Sequence, residues 1–144
     1  MNELQATIKV VLANTFVMYF KAHAYHWNVK GINFSQYHDF FGDLYEELFA
    51  AVDTAAEEMR AHDALAPHSI SNLYDAKTIM EDSLPPSDIS TMIGNLISAN
   101  DEVIVSLNKL FSVASAANEQ GLADFAAGRL DVHKKHGWML KSSQ

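Results

Sequence analysis

Apolar side chains recur along this chain at alternating steps of four and three, the spacing of one face of an α-helix. Over residues 3–27 the stripe is Leu4, Ile8, Val11, Thr15, Met18 and Ala22, with Thr15 its one polar member. The stretch NVKGIN breaks it, and Gly31 there is free to take a left-handed conformation. A second stripe, Tyr37, Phe41, Leu44, Leu48, Ala55 and Met59, predicts a helix from a cap near Ser35 to about His62. The long connection that follows predicts a short helix within NLYDAKTIMED, ended by the prolines of LPPSD. Ser87 or Asp88 then caps a third long helix carrying Ile89, Ile93, Leu96, Val103, Leu107 and Leu110. After a break at NEQG, the last helix, about 120–141, carries Leu122, Phe125, Val132, His136 and Met139 or Leu140. No β-alternating run and no repeat is visible. The expectation is one all-α domain over residues 1–144, two helical hairpins joined by a long crossover into a four-helix bundle.

The second helix has another face. His38, Gly42, Glu46, Asp53 and Glu57 fall within roughly 100° of one another, on a direction roughly 140° from the apolar stripe. A solvated acidic surface has this pattern, and so does a set of metal ligands. Along the axis His38 and Asp53 are roughly 22 Å apart, so one helix cannot bring both to one ion. If they cooperate, two antiparallel copies must meet across a two-fold axis, giving two equivalent sites that each join histidines of one chain to carboxylates of the other. Imidazole with carboxylate and no sulfur suits iron or zinc. None of the seven histidines follows a Glu by three residues, so the Glu-x-x-His di-iron site inside a bundle is not expected.

Composition narrows the partners. The formal net charge is −8, which disfavours nonspecific attraction to DNA or to anionic membranes and favours cations. There is no cysteine, so disulfides and thiolate chemistry are excluded. VVLANTFVMYF is too short for a membrane span and carries Asn14. With the unbasic opening MNELQ, this reads as a soluble, cytoplasmic protein.

HWNVKGINFSQYHDFFGDLYEEL, with VDTAAEEMRA further on, resembles the helical hairpin of the Dps proteins, the miniferritins of the ferritin-like superfamily. A His-Trp pair, a glycine turn and a histidine twelve residues after the first carry the resemblance, and KKHGWML resembles that family's last helix. The resemblance implies a ferritin-like bundle with a short crossover helix, assembled into a dodecamer. It implies ferroxidase sites at two-fold interfaces, where Fe(II) is oxidised, preferentially by hydrogen peroxide, and stored as ferric mineral under oxidative stress. His26 and His38 match the histidine ligands, and Asp53 and Glu57 the partner's carboxylates, with Glu57 bridging. One position departs. The family places an acid one turn after the second histidine, and here Gly42 stands there. Close packing across the two-fold axis is one reason for a glycine, and Asp39, Asp43 or Glu46 are candidates to compensate. The alternative is a shell that binds one iron or zinc per site with weakened ferroxidase activity.

The resemblance gives Trp27 a part in intercepting radicals and gives Asp124, with Glu119 second, a place at acidic pores on three-fold axes. His23 is read as a hydrogen-bonded structural histidine. His133 and His136 have a chelating spacing, but His136 continues the apolar stripe and reads as a core histidine. His62 and His68 read as surface or loop residues. The family's basic DNA-binding tail is missing, and Lys134, Lys135 and Lys141 are too few to replace it, so no DNA binding is expected at physiological salt.

Overall fold

Each long helix starts where a side chain or a turn supplies the missing backbone partners. In a computed structural model describing all 144 residues, Asn2 and Gln5 form a reciprocal capping box at the start of α1 (Glu3–Asn28). The loop after it turns on Gly31 at φ 126° and leads into α2 (Phe34–Ala61). That helix begins after Asn33 with no side-chain cap, so Ser35 lies inside the first turn and does not cap it. Ser69 caps α3 (Ile70–Tyr74) by accepting from the Asn72 amide. This short helix starts just ahead of the segment expected to hold it. Asp88, of the two candidate caps, accepts from the Thr91 amide at 2.7 Å and opens α4 (Ile89–Ala116). The last helix is α5 (Gln120–Lys141).

Both α2 and α4 end in a Schellman motif on a non-glycine residue in the left-handed region, Asp63 and Asn118. The Ala64 amide reaches back to the Met59 carbonyl at 3.0 Å, and the Glu119 amide to that of Ala114 at 2.9 Å. These endings make the chain reverse after α4 at once and leave α2 for the crossover.

α1 packs along α2 and α4, and α4 along α5. The apolar stripes of α1, α2 and α4 face one another: Ile8, Met18, Phe41, Leu48, Met59, Leu96, Leu107 and Leu110 are fully buried. Each such side chain contributes about 1.5–3 kcal/mol, more than any single polar contact, so this core sets the bundle. The stripe of α5 is rotated from expectation. Leu122, Ala126, His133, Gly137 and Leu140 are buried, while Phe125, Val132 and His136 are only half-buried and Met139 is exposed.

The cause lies on the fourth side of the bundle, between α2 and α5, which long polar side chains bridge. Glu47 of α2 accepts a two-pronged ion pair from Arg129 and a 2.7 Å bond from His136 Nε2. Arg129 also donates to His133 Nε2 at 2.9 Å, so Nδ1 carries the ring proton and donates to Asn100 Oδ1 at 2.8 Å. Asn100 returns a bond to the His133 carbonyl at 2.9 Å. No buried side-chain polar atom in the molecule lacks a partner.

Polar staples also hold the crossover. Buried Asn14 of α1 accepts from the Thr78 and Ile79 amides and donates to the Thr78 hydroxyl. Lys21, 7 % exposed, pairs with Asp82 at 2.7 Å. The Tyr25 hydroxyl donates to the same carboxylate and accepts from Asn95 at 3.1 Å. Burial, then the bond to Asp82, pushes the Tyr25 phenol well above its ordinary range. No helix is long and apolar enough to cross a membrane.

The interior network gives the fold an acid limit. Burial first, then the charges of Arg129 and His136, lower His133 from 6.5 to about 3. Below pH 6.5 the unfolded chain therefore binds a proton that the folded chain refuses, and stability falls until pH 3 is reached. Burial alone would raise Glu47, but bonds from His136 and Arg129 outweigh it and hold it at about 2. Its contribution is full above the ordinary carboxylate range and lost as pH falls toward 2. Both act in the same direction. Between pH 6.5 and 4.5 the His133 contribution alone should cost about 2–3 kcal/mol. Thermal unfolding across that range should show the loss, with a shallower slope in His133→Gln; an unchanged slope in the variant would refute the assignment.

Candidate metal centre

The hairpin sets the end of α1 beside the start of α2, which brings His26 and His38 together. Their rings stack with centroids 3.8 Å apart and planes 19° off parallel. Each Nδ1 lies 2.7 Å from the other residue's main-chain carbonyl. A carbonyl can only accept, so in both rings Nδ1 carries the proton. In the neutral imidazole, Nε2 is then left as a lone pair facing away from the backbone. The hairpin thus fixes both histidines in the tautomer that binds a cation, as outer-shell hydrogen bonds do for metal ligands. The His26 carbonyl sits in the last turn of α1, where helix geometry leaves it without an amide partner. The His38 ring supplies that partner.

Gly42, one turn after His38, is buried. A Cβ built there would lie 3.1 Å from His26 Nδ1 and 3.2 Å from Cε1. Within the chain, the near neighbour of this position is therefore His26.

Aromatic rings flank the pair. His23 stacks on Tyr45 at 3.8 Å with planes 5° apart and bonds the Tyr19 hydroxyl through Nδ1 at 2.9 Å. Burial, and then the charge of His26, lower its pKa. Those bonds give it the structural character expected for it. Trp27 lies over His23 at 4.0 Å but is 56 % exposed, so it is no part of this chain's core. Phe20 is exposed beside it, with ring centroids 6.3 Å apart, and the exposed Phe49 packs on Tyr19. Phe34 covers the other face of His38 at 4.9 Å.

The carboxylates lie elsewhere. Asp53 and Glu57 are exposed one turn apart on the second half of α2. A hydrogen bond shared with Asp53, and then its charge, raise the pKa of Glu57. The single chain gathers no group of three or more potential ligands. His26 and His38 come together, Asp53 and Glu57 come together, and the two pairs do not meet. Asp39, Asp43 and Glu46 are exposed, and none of them joins the two histidines in such a group.

The other candidates are engaged otherwise. His136 pairs with Glu47, and His133 is the fully buried histidine of α5, contrary to the expectation that placed His136 in the core. His62 caps the end of α2, with Nδ1 2.8 Å from the Glu58 carbonyl and Nε2 3.5 Å from Glu119. Glu119 precedes α5, and Asp124 is exposed in its second turn. The Lys21–Asp82–Tyr25 and Glu47–Arg129–His136 networks leave no mark in the sequence pattern, because partners 57 to 89 residues apart have no local spacing.

Comparison with known proteins agrees with this architecture. The sequence model of the ferritin-like domain matches residues 5–143. General stress protein 20U of Bacillus subtilis is 33 % identical over 150 residues, covering 96 % of this chain and 94 % of that one. DNA protection during starvation protein of Brevibacillus brevis is 28 % identical, with 98 % and 97 % covered. Among solved structures, Dps from Thermosynechococcus elongatus superposes with a TM-score of 0.93 at 27 % identity, covering 97 % of this chain and 88 % of that one. Dps from Vibrio cholerae O1, described as one of a broad superfamily of ferritin-like diiron-carboxylate proteins, gives 0.92 at 24 %, with 97 % and 87 % covered.

The clasp should be measurable without metal. His38→Ala removes one imidazole–carbonyl bond and the stack that orients His26. It should cost about 1–2 kcal/mol in thermal unfolding while leaving helix content unchanged. A variant as stable as the parent would mean that the rings do not hold the hairpin.

Proposed function

The chain belongs to the ferritin-like superfamily and, within it, to the Dps family; on that premise we propose that it forms a homo-oligomeric shell that oxidises and stores iron. The observation that carries this reading is the histidine pair, locked by the backbone with both Nε2 atoms free, in a chain that lacks the other half of the site. Completion falls to Asp53 and Glu57 of the partner subunit, across a two-fold axis. The exposed Trp27, next to His26 in the chain and lying over His23, supports a covering chain there. Twelve subunits, with two sites at each two-fold interface, is the assembly proposed.

Iron is the substrate. His26 and His38 hold Fe(II) from one side, the partner's carboxylates neutralise its charge from the other, and Glu57 spans the two ions of a pair. Two Fe(II) give one electron each to hydrogen peroxide, which takes up two protons and leaves as two waters, so no hydroxyl radical is released. Trp27, exposed next to the site, is placed to intercept one that forms. The negative chain favours cation entry, with Asp124 and Glu119 as the acidic residues of the pore. No binding to DNA is proposed.

Gly42 favours a second reading. It has no ligand atom, and neither Asp39, Asp43 nor Glu46 replaces one within this chain. In that reading each site takes one ion, iron or zinc, and ferroxidation is slow.

Stopped-flow oxidation of Fe(II), with peroxide compared against dioxygen at stepwise loadings, separates the two. The first reading expects fast peroxide oxidation that breaks at two irons per subunit. It also expects at least a tenfold fall in Asp53→Asn or Glu57→Gln with the shell intact. A break at one iron, or zinc retained in preference to iron, selects the second. No rate above the protein-free control, with no metal bound, removes both.

A further inference from the structure

We propose that Phe34 is a positioning residue for the metal centre: its ring backs His38 and holds the plane from which Nε2 meets a cation. The 2.7 Å hydrogen bond from Nδ1 to the His26 carbonyl fixes one atom of the His38 ring. The ring is still free to rock about the edge that joins Nδ1 to the rest of the side chain. Nε2 lies across the ring from that edge, so a rock of about 30°, enough to take a side chain out of its rotamer well, moves it by roughly 1 Å. Ligand distances in a metal site hold to about 0.2 Å. On one face the rocking is stopped by His26, stacked at 3.8 Å with planes 19° apart. On the other it is stopped by Phe34, at 4.9 Å and 22°.

The sequence builds this backing locally. The Phe34 amide donates to the Gly31 carbonyl at 3.1 Å, so the turn at Gly31 sets where α2 begins. Phe34 is the first residue of that helix, and His38 stands four residues on, the spacing at which side chains of one face meet. Turn, phenyl ring and imidazole in GINFSQYH are therefore one device, completed by His26 from α1. Beyond His26 the column of rings continues to Tyr45, at 5.2 Å and 56°, which itself lies flat on His23. Phe34 is 41 % exposed and no part of the buried core, so its loss should not unfold the bundle. The position of the ring is a property of the chain alone; only the effect on cation affinity rests on the metal-binding reading.

The test uses the assembled, metal-free protein with Phe34→Ala and with Phe34→Tyr, which keeps the ring. Crystals of Phe34→Ala should show the His38 ring turned out of the parent's plane or held in two positions, and those of Phe34→Tyr the parent's ring. Co(II) titration, followed by its visible absorption, should weaken roughly tenfold in Phe34→Ala and recover in Phe34→Tyr, with the shell intact by sedimentation in both. Should Phe34→Ala fail to assemble, Phe34→Leu, which keeps apolar bulk without a flat face, is held to the same outcomes. A His38 ring unmoved by the loss of the phenyl would overturn the proposal. So would Co(II) binding as tight as the parent's, or no recovery in Phe34→Tyr. A ring displaced in Phe34→Ala and restored in Phe34→Tyr, in a protein that binds no Co(II) at all, would uphold the positioning and remove the metal-binding reading instead.

Discussion

The site depends on a reciprocal pair of hydrogen bonds between two rings and two carbonyls at the mouth of the α1–α2 hairpin. Each histidine uses its Nδ1 proton on the backbone of the other, so the bonds join the helices and choose the tautomer in one step. The arrangement demands that α1 end and α2 begin at matching heights, which the five-residue loop with Gly31 provides. The His26 ring lies close over Gly42, where a Cβ would stand 3.1 Å from Nδ1. Neither histidine is held by packing alone, and neither is left to choose its own tautomer.

Much of this was legible in the sequence because helices write their contacts locally. The stripes of α1, α2 and α4 appear at fixed spacing, and the residues that form them are those found in the core, with only the terminal Leu4, Tyr37 and Ile89 less than fully buried. The grouping of His38 with Asp53 and Glu57 on one face was readable for the same reason. So was the argument from helix rise that a single chain could not unite them, and the separate His and carboxylate pairs of the fold agree with it. What failed to show was whatever depends on a partner far along the chain. The stripe of α5 was misphased because Arg129 and His133 are polar by type, and only Glu47, 82 residues from Arg129, makes their burial affordable. Gly42 was visible as an anomaly, but its close neighbour is His26 on another helix, which no spacing within α2 reveals.

The Glu47–Arg129–His133 network also bears on why the proposed site lies at the hairpin and not inside the bundle. A carboxylate, two imidazoles and an amide converging between α2, α4 and α5 would ordinarily invite a cation. Here the guanidinium supplies the positive charge, taking both Glu47 oxygens and the one free His133 nitrogen. His136 takes up the carboxylate further, and Asn100 consumes the remaining ring proton. With both Glu47 oxygens and both His133 nitrogens engaged, an entering ion would have to displace the bidentate pair. The interior is closed to metal by satisfaction, not by lack of ligands. The two rings at the hairpin differ in one respect that decides the matter: their backbone bonds consume the protons and leave the lone pairs unspent. The proposed site, half-formed at the surface of one chain, can be completed only by what covers that surface, so in that proposal assembly and chemistry become a single event.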